Sequence, residues 1–264
     1  MQRTVVVCGV GDVGSAVAYV LHTTGYRVVL QDHPTPTYPR RGMAFVDAIF
    51  EGTAQLAGII AKRARDEEAV AHMLKCRRAI PIMVGDLTAV LKAIRPDVLV
   101  DASMRKRAFP LPQIGFAPLT IGLGPNFTVG KTTDLAVETA WGDDLGRVVT
   151  QGSTQRHTGE PRYLGSYGRE RFVYAPQAGI FRTNREIGER VSSGERVADV
   201  GGLDLHSPLE GCIRGLTHDG VMVEKNTKVF EVDPTGDKSA AFGLGMRPRG
   251  IAEGVLRALD ATKN

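Results

Sequence analysis

The first hundred residues switch repeatedly between two hydrophobic periods. Thr-Val-Val-Val-Cys at positions 4–8 is an unbroken β-branched run of the kind that buried strands carry. Ala16, Val17, Val20 and Leu21 then fall at helical spacing and stop at Gly25. Val28-Val29-Leu30 predicts a second strand closing at Gln31-Asp32. Pro34, Pro36 and Pro39 force residues 33–41 into a loop. Ala69, Val70, Met73 and Leu74 predict a helix, residues 80–84 a strand, and Leu87, Val90, Leu91 and Ile94 a helix closed before Pro96. Residues 98–101 and 119–123 read as two more strands. Residues 134–139 fit helix and strand equally. Strands alternating with helices of about ten residues predict βαβ units and a mostly parallel sheet over residues 1–150.

The pattern changes after residue 150. Residues 151–170 are polar and read as a linker or surface loop, and from Phe172 to Asp233 the helical period disappears. That region repeats itself at an offset of 32: Ala175-Pro176 with Ser207-Pro208, Gly179 with Gly211, Arg182 with Arg214, Gly188 with Gly220, Val191 with Val223, Val197 with Val229 and Val200 with Val232. Two similar β halves packed into one closed unit are expected over residues 171–235. Residues 236–264 form a tail whose helix has Ile251, Val255, Leu256 and Leu259 on its apolar face.

Composition narrows the class without naming a function. The chain has 264 residues, 42% hydrophobic and 23% charged, enough for one large domain or two modest ones. Lys plus Arg 33 against Asp plus Glu 29 leaves +4, which attracts anions but is no nucleic-acid-binding stripe. No apolar run approaches the ~18–20 residues of a membrane span, and no secretory leader is expected. Cys8, Cys76 and Cys212 are far apart and odd in number, which argues for a reducing, cytoplasmic setting. The six histidines show no metal-ligand spacing, so no metal site is expected.

Gly9-Val-Gly11-Asp12-Val-Gly14 sits between a strand and a helix, the context of a dinucleotide-binding turn. The first glycine allows the tight turn, the second lets a diphosphate approach the backbone, and the third lets helix and strand pack closely. The domain therefore reads as Rossmann-like α/β. Asp32 is placed to accept from ribose hydroxyls, which favours NAD over NADP. Asp12 argues the other way by setting a carboxylate beside the diphosphate, unless it satisfies N–H groups at the helix start. Arg40 and Arg41 follow the acid, either as an anion clamp or as a solvated pair.

Gly124-Pro-Asn126-Phe-Thr-Val-Gly130-Lys131-Thr132 resembles a phosphate loop, but five residues separate its glycines where that motif has four. A looser anion-binding loop using Asn126 and Lys131, or a structural turn, are the remaining readings. Asp101, at the end of a strand, and Lys131 are weak candidates for acid–base roles. Arg105-Lys106-Arg107 after Asp101 reads as a solvated face or an electropositive rim. Cys8 reads as core.

Several of these stretches recur together in order: Val-Cys-Gly9-Val-Gly-Asp12, Pro39-Arg-Arg41, Val100-Asp-Ala102, Gly124-Pro-Asn-Phe127, Val137-Glu-Thr139, Leu145-Gly-Arg-Val148, Thr158-Gly-Glu-Pro161, Ala175-Pro-Gln-Ala-Gly179 and Val232-Asp-Pro-Thr-Gly-Asp-Lys238. The set resembles the selenium-dependent molybdenum hydroxylase system protein family over nearly the whole chain. The resemblance implies an accessory role in maturing molybdenum hydroxylases, which use a molybdopterin cofactor. Asn126 stands where that family has glycine, and Trp141-Gly142-Asp143 where it has a basic Arg-Gly-His stretch. The β repeat also resembles a biotinyl- or lipoyl-type barrel-sandwich hybrid. Its central connection, Gly201-Gly-Leu-Asp204-Leu-His206, has no lysine, so neither biotin nor lipoate is expected.

Three functional expectations follow. The first is a maturation accessory protein binding a nucleotide or molybdopterin-type ligand in the crevice. The second is an NAD-dependent oxidoreductase, which lacks a convincing His or Tyr-Lys acid–base arrangement. The third is a non-catalytic adaptor of a molybdenum hydroxylase. Expected partners are a small anionic ligand and the hydroxylase, with homo-oligomerisation left open and neither nucleic acid nor membrane among them.

Overall fold

A computed structural model describes residues 2–105, 109–159, 161 and 163–262. The chain divides into two compact units. One comprises Met1–Pro34, Ala44–Thr158 and Leu244–Asn264, and the other Thr35–Met43 and Gly159–Gly243. The proline-rich loop and the C-terminal helix therefore belong to different units from their neighbours in sequence.

In the first unit the order is β1 (Thr4–Cys8), α1 (Asp12–Thr23), β2 (Arg27–Asp32), α2 (Asp47–Glu51), β3 (Thr53–Leu56), β4 (Ile59–Arg63), α3 (Glu67–Cys76), β5 (Ile80–Val84), α4 (Leu87–Ile94), β6 (Val98–Asp101), β7 (Leu119–Leu123), β8 (Leu135–Val137), β9 (Val148–Val149) and, after the second unit, α5 (Met246–Ala261). The strands form one sheet in the order β3-β4-β5-β2-β1-β6-β7-β8-β9. From β4 to β8 every pairing is parallel, and only the margins β3–β4 and β8–β9 are antiparallel. The order runs outward from β1 in both directions, so the sheet reverses between β1 and β6.

Local chemistry explains these elements. Strands β1 and β6 are buried on both faces, which is why they are continuous valine and leucine runs. Asp66 caps α3 by accepting from Ala69 N, and Asp86 caps α4 by accepting from Ala89 N. Helix α4 ends on Arg95 in the left-handed region, just before Pro96. Helix α1 is buried on most of its circumference because α5 packs against it. Pro248 is accommodated in the first turn of α5, where its missing N–H has no intrahelical partner. No helix among the described residues is long and apolar enough to cross a membrane.

The second unit holds β10 (Phe172–Tyr174), β11 (Gly179–Arg182), β12 (Arg190–Val191), β13 (Arg196–Val200), β14 (Leu203–His206), β15 (Gly211–Leu216), β16 (Met222–Val223) and β17 (Lys228–Asp233). They build two four-stranded sheets, β10-β17-β15-β12 and β14-β13-β11-β16. The sequence repeat is visible in the exchange between them. β12 from the first half pairs with β15 of the second, and the equivalent β16 pairs back onto β11 of the first. Gly201 and Gly202, both at positive φ, turn β13 into β14.

Candidate functional site

The carboxyl edge of β2, β1, β6 and β7 gathers most of the residues singled out in the sequence. Gly9 has φ +98°, and a Cβ there would lie 2.8 Å from the Ala102 carbonyl oxygen and 2.9 Å from Ser103 Cα. The first glycine thus lets the turn pass against the chain leaving β6. A Cβ on Gly14 would fall 1.8 Å from the Gly9 carbonyl oxygen, so the third glycine permits the close contact between helix and turn. Gly11 is the helix N-cap with φ −69° and ψ −174°, a conformation open to any residue. Its being glycine is not required by the backbone.

The Asp32 carboxylate is buried and is drawn into the turn. Its Oδ2 accepts from Val10 N at 2.7 Å and its Oδ1 from His33 N at 2.8 Å. Asp12 folds back so that its Oδ1 accepts from Val13 N at 3.0 Å. The first regular bond of the helix is Ser15 N to Gly11 O at 2.9 Å. The buried amides of Gly11 and Gly14 donate to no acceptor among the described residues. They stand where a helix N-terminus presents unsatisfied donors and a positive dipole end.

The second glycine loop is built differently. Phe127 N donates to Thr154 Oγ1, Thr128 N to Thr132 Oγ1, Val129 N to Gly152 O, Gly130 N to Thr133 O, and Lys131 N and Thr132 N both to Thr128 O. Every amide from 127 to 132 is spent inside the unit, which leaves those of Gly124 and Asn126 as the loop's backbone donors without an acceptor among the described residues. The anion-loop expectation narrows to these two amides, at φ +126° and +67°, and to the side chains of Asn126, half-buried, and Lys131, exposed. The buried Phe127 ring lies over Gly122, where a Cβ would come within 2.1 Å of it. Phe127→Leu is expected to lower stability by about 1 kcal/mol in chemical denaturation without changing ligand affinity at the first turn.

Arg40 and Arg41 belong to the second unit, where Arg40 Nε donates to Glu231 Oε1 at 3.0 Å and Arg41 Nε to the Leu216 carbonyl at 2.7 Å. Lys106 and Arg107 fall outside the described residues, whereas Arg105 is exposed and close enough for its charge to act on Cys8. Burial, then the charges of Asp101 and Asp32, push the Cys8 thiol far above its ordinary range, against a smaller opposing effect of Arg105. Cys8 packs within the hydrophobic core, beside Val6, Val29 and Leu99 in the same cluster.

Asp101 is buried and fully engaged. Its Oδ1 accepts from Ser103 N at 2.9 Å and from the Ser103 hydroxyl, and its Oδ2 accepts from Gln113 Nε2. Ser103 and Gln113 were invisible to pattern reading, because Gln113 sits in an irregular apolar loop with no period. Glu138 was likewise missed as a residue with a task. Its carboxylate is buried and accepts from the amides of Thr139, Ala140 and Gln155, closing the sheet margin. Among the described residues no group of three or more His, Cys, Asp or Glu could hold a metal ion.

No family model matches the chain. It is 36% identical over 258 residues to the uncharacterized protein YqeB of Escherichia coli, a match covering 98% of this chain and 47% of that protein. The chain thus spans about half the length of the curated relative it matches. Among solved structures it is similar to a succinylglutamate desuccinylase from Silicibacter (12% identity, 88% of this chain and 84% of that one, TM-score 0.26). The ectoine utilization protein EutE of Ruegeria pomeroyi gives 12% identity over 88% of this chain and 85% of that one, TM-score 0.27. An aspartoacylase family protein of Mesorhizobium loti gives 15% identity over 88% and 85%, TM-score 0.26. None of these is described as a molybdenum hydroxylase accessory protein or adaptor, or as an NAD-dependent oxidoreductase. The resemblance to the molybdenum hydroxylase system family, and the three functional expectations, are overturned on that finding.

Proposed function

We propose that the first unit is a Rossmann-type ligand-binding domain that holds a small phosphate-bearing molecule at the amino end of α1. The strand order, reversing between β1 and β6, is that of doubly wound sheets that bind ligands at the reversal point. The observation that carries the reading is the contrast between the two glycine loops. The amides of Gly11 and Gly14 have no acceptor among the described residues, whereas those of residues 127–132 are all spent internally. A phosphate at the first turn supplies the missing acceptors and meets the positive end of the helix. The glycine at position 11, which its φ and ψ do not demand, leaves the backbone approachable there. Arg105, on the loop after β6, adds a nearby positive charge.

Gly11→Val is expected to weaken pyrophosphate or organic phosphate binding at least tenfold in calorimetry while leaving the thermal midpoint within a few degrees. A folded variant with unchanged affinity contradicts the reading.

The second unit supports a barrel-sandwich-like fold that is not a carrier. The turn after β13 offers Gly201, Gly202 and, further on, Asp204, none of which forms the amide that biotin or lipoate requires. Intact-mass measurement on protein from its native host is expected to give the unmodified mass of this unit; an added biotinyl or lipoyl group would refute that. The three cysteines are free, two of them buried, which supports a reducing cytoplasmic setting.

A further inference from the structure

Four large apolar side chains are exposed on one short stretch of the first unit. Phe109 is 80% exposed and Leu111 70%, with Ile114 at 43% and Phe116 at 46%, all between positions 109 and 116. Single apolar residues scattered over a surface need no explanation, but a cluster of this kind marks something that it meets. The segment is tied down at its middle. Gln113 N donates to Thr132 O at 2.8 Å, its carbonyl accepts from Phe116 N at 2.9 Å, and its side-chain amide donates to the buried Asp101. Phe109 and Leu111 each precede a proline, which biases both toward extended backbone and lowers the entropy lost when a partner immobilises them.

Charge selects the partner. Residues 102–133 contain Arg105, Lys106, Arg107 and Lys131 and not one Asp or Glu. The chain's net charge is +4, so this stretch carries all of the excess and the charges elsewhere balance. Lys106 and Arg107 lie outside the described residues and count only as charges in the sequence, whereas Arg105 and Lys131 are exposed. Lys131 adjoins Thr132, which anchors Gln113. The acids flanking the stretch are engaged: Asp101 is buried, and Asp134 accepts from the N–H and hydroxyl of Thr120 at 2.8 and 2.7 Å. A second copy of the chain would bring like charges together here. An acidic protein would need a pocket shaped to four irregularly spaced apolar groups, whereas a bilayer interface takes them without a fixed shape. We propose that this loop docks the chain onto an anionic lipid surface, with Phe109 and Leu111 entering the headgroup–acyl boundary and Arg105 and Lys131 meeting the headgroups. Docking of this kind lies on the membrane and needs no spanning helix, which narrows the expectation of no membrane partner to one of no spanning segment. The inference does not rest on the phosphate reading, which uses none of these apolar residues.

The test is co-sedimentation of the full chain with vesicles of phosphatidylcholine alone and of phosphatidylcholine and phosphatidylserine mixed two to one. The expected result is at least tenfold stronger partition onto the mixed vesicles, since each Lys or Arg near an anionic surface is worth about fivefold. Raised salt is expected to release most of the bound chain. Phe109→Ser combined with Leu111→Ser is expected to cut partition at least tenfold at an unchanged thermal midpoint, because both side chains are exposed. Leu203→Ser combined with Met222→Ser, which removes exposed apolar groups from the second unit, is expected to leave partition as it is in wild type. Equal partition onto the two kinds of vesicle overturns the proposal, and so does a Phe109 and Leu111 variant that partitions like wild type. A wild-type chain that stays in the supernatant with both vesicles overturns it as well, and would leave the loop as a docking face for an acidic protein.

Discussion

Replacing Gly14 by alanine is expected to lower the stability of the first unit by about 3–5 kcal/mol, the largest effect of any single methyl addition at this edge. The added Cβ would stand 1.8 Å from the Gly9 carbonyl oxygen and 2.9 Å from its carbon. Both are backbone atoms, so no side chain can turn aside to make room. Gly9 cannot yield either, because it holds φ +98° and is itself wedged against the Ala102 carbonyl. The strain must open the turn or tilt α1 away from β1. Chemical denaturation of Gly14→Ala measures this directly. A loss below about 1 kcal/mol would show that the turn relaxes freely and that its geometry is not what sets the ligand-binding amides.

The second large effect lies in the β unit. Glu231 on β17 is completely buried, and four cations converge on it. Arg40 Nε lies at 3.0 Å, Arg171 and Arg214 at 3.7 Å, and the Lys228 ammonium donates to its other oxygen. Burial alone would raise the Glu231 pKa, but Arg40, Lys228 and Arg171 outweigh it and hold the carboxyl well below the usual range. Arg171 is buried too, and its own pKa is lowered first by that burial. It stacks over the Phe172 ring at 4.2 Å, with Lys228 over the same ring at 4.6 Å. Glu231→Gln removes the charge that compensates these groups and is expected to cost about 3–5 kcal/mol at neutral pH.

The pH dependence of that loss has a definite sign. A carboxyl with a lowered folded-state pKa binds fewer protons when folded, so its contribution is complete above the unfolded value of about 4.3. It fades as pH falls below that value toward the folded one. The stability gap between wild type and Glu231→Gln should therefore narrow on acidification below about pH 4. A gap that stays constant from neutral to acid would assign the loss to packing rather than charge.

The parts of the fold that were readable from sequence are those with local causes. Strands at 80–84 and 98–101 coincide with their apolar runs because most of their positions are buried, Asp101 at the end of the second being the polar exception. The roles of Gly9 and Gly14 were readable because a positive φ and a missing Cβ are properties of single residues. The β3–β4 hairpin was not read, since its short strands at the sheet margin are largely solvent-facing and carry little alternation. Residues 134–139 could not be resolved by period, and form the three-residue strand β8 because they pair with β7.

Long-range partners account for the rest. Arg40 pairs with Glu231, 191 positions away, which no local pattern announces. The 124–131 loop looked like an anion site because of its glycines and lysine. Its amides from 127 onward are claimed by Thr154, Gly152 and the loop's own Thr128, Thr132 and Thr133, and only tertiary structure shows that.

The central claim is that a phosphate-bearing ligand meets the first glycine turn and not the second. A nitrogen–proton correlation spectrum of the full chain, titrated with pyrophosphate, tests it residue by residue. The account predicts that the Gly11 and Gly14 amides move and saturate together while those of residues 127–132 stay in place. Stationary Gly11 and Gly14 signals, or saturating shifts concentrated in residues 127–132, would contradict it.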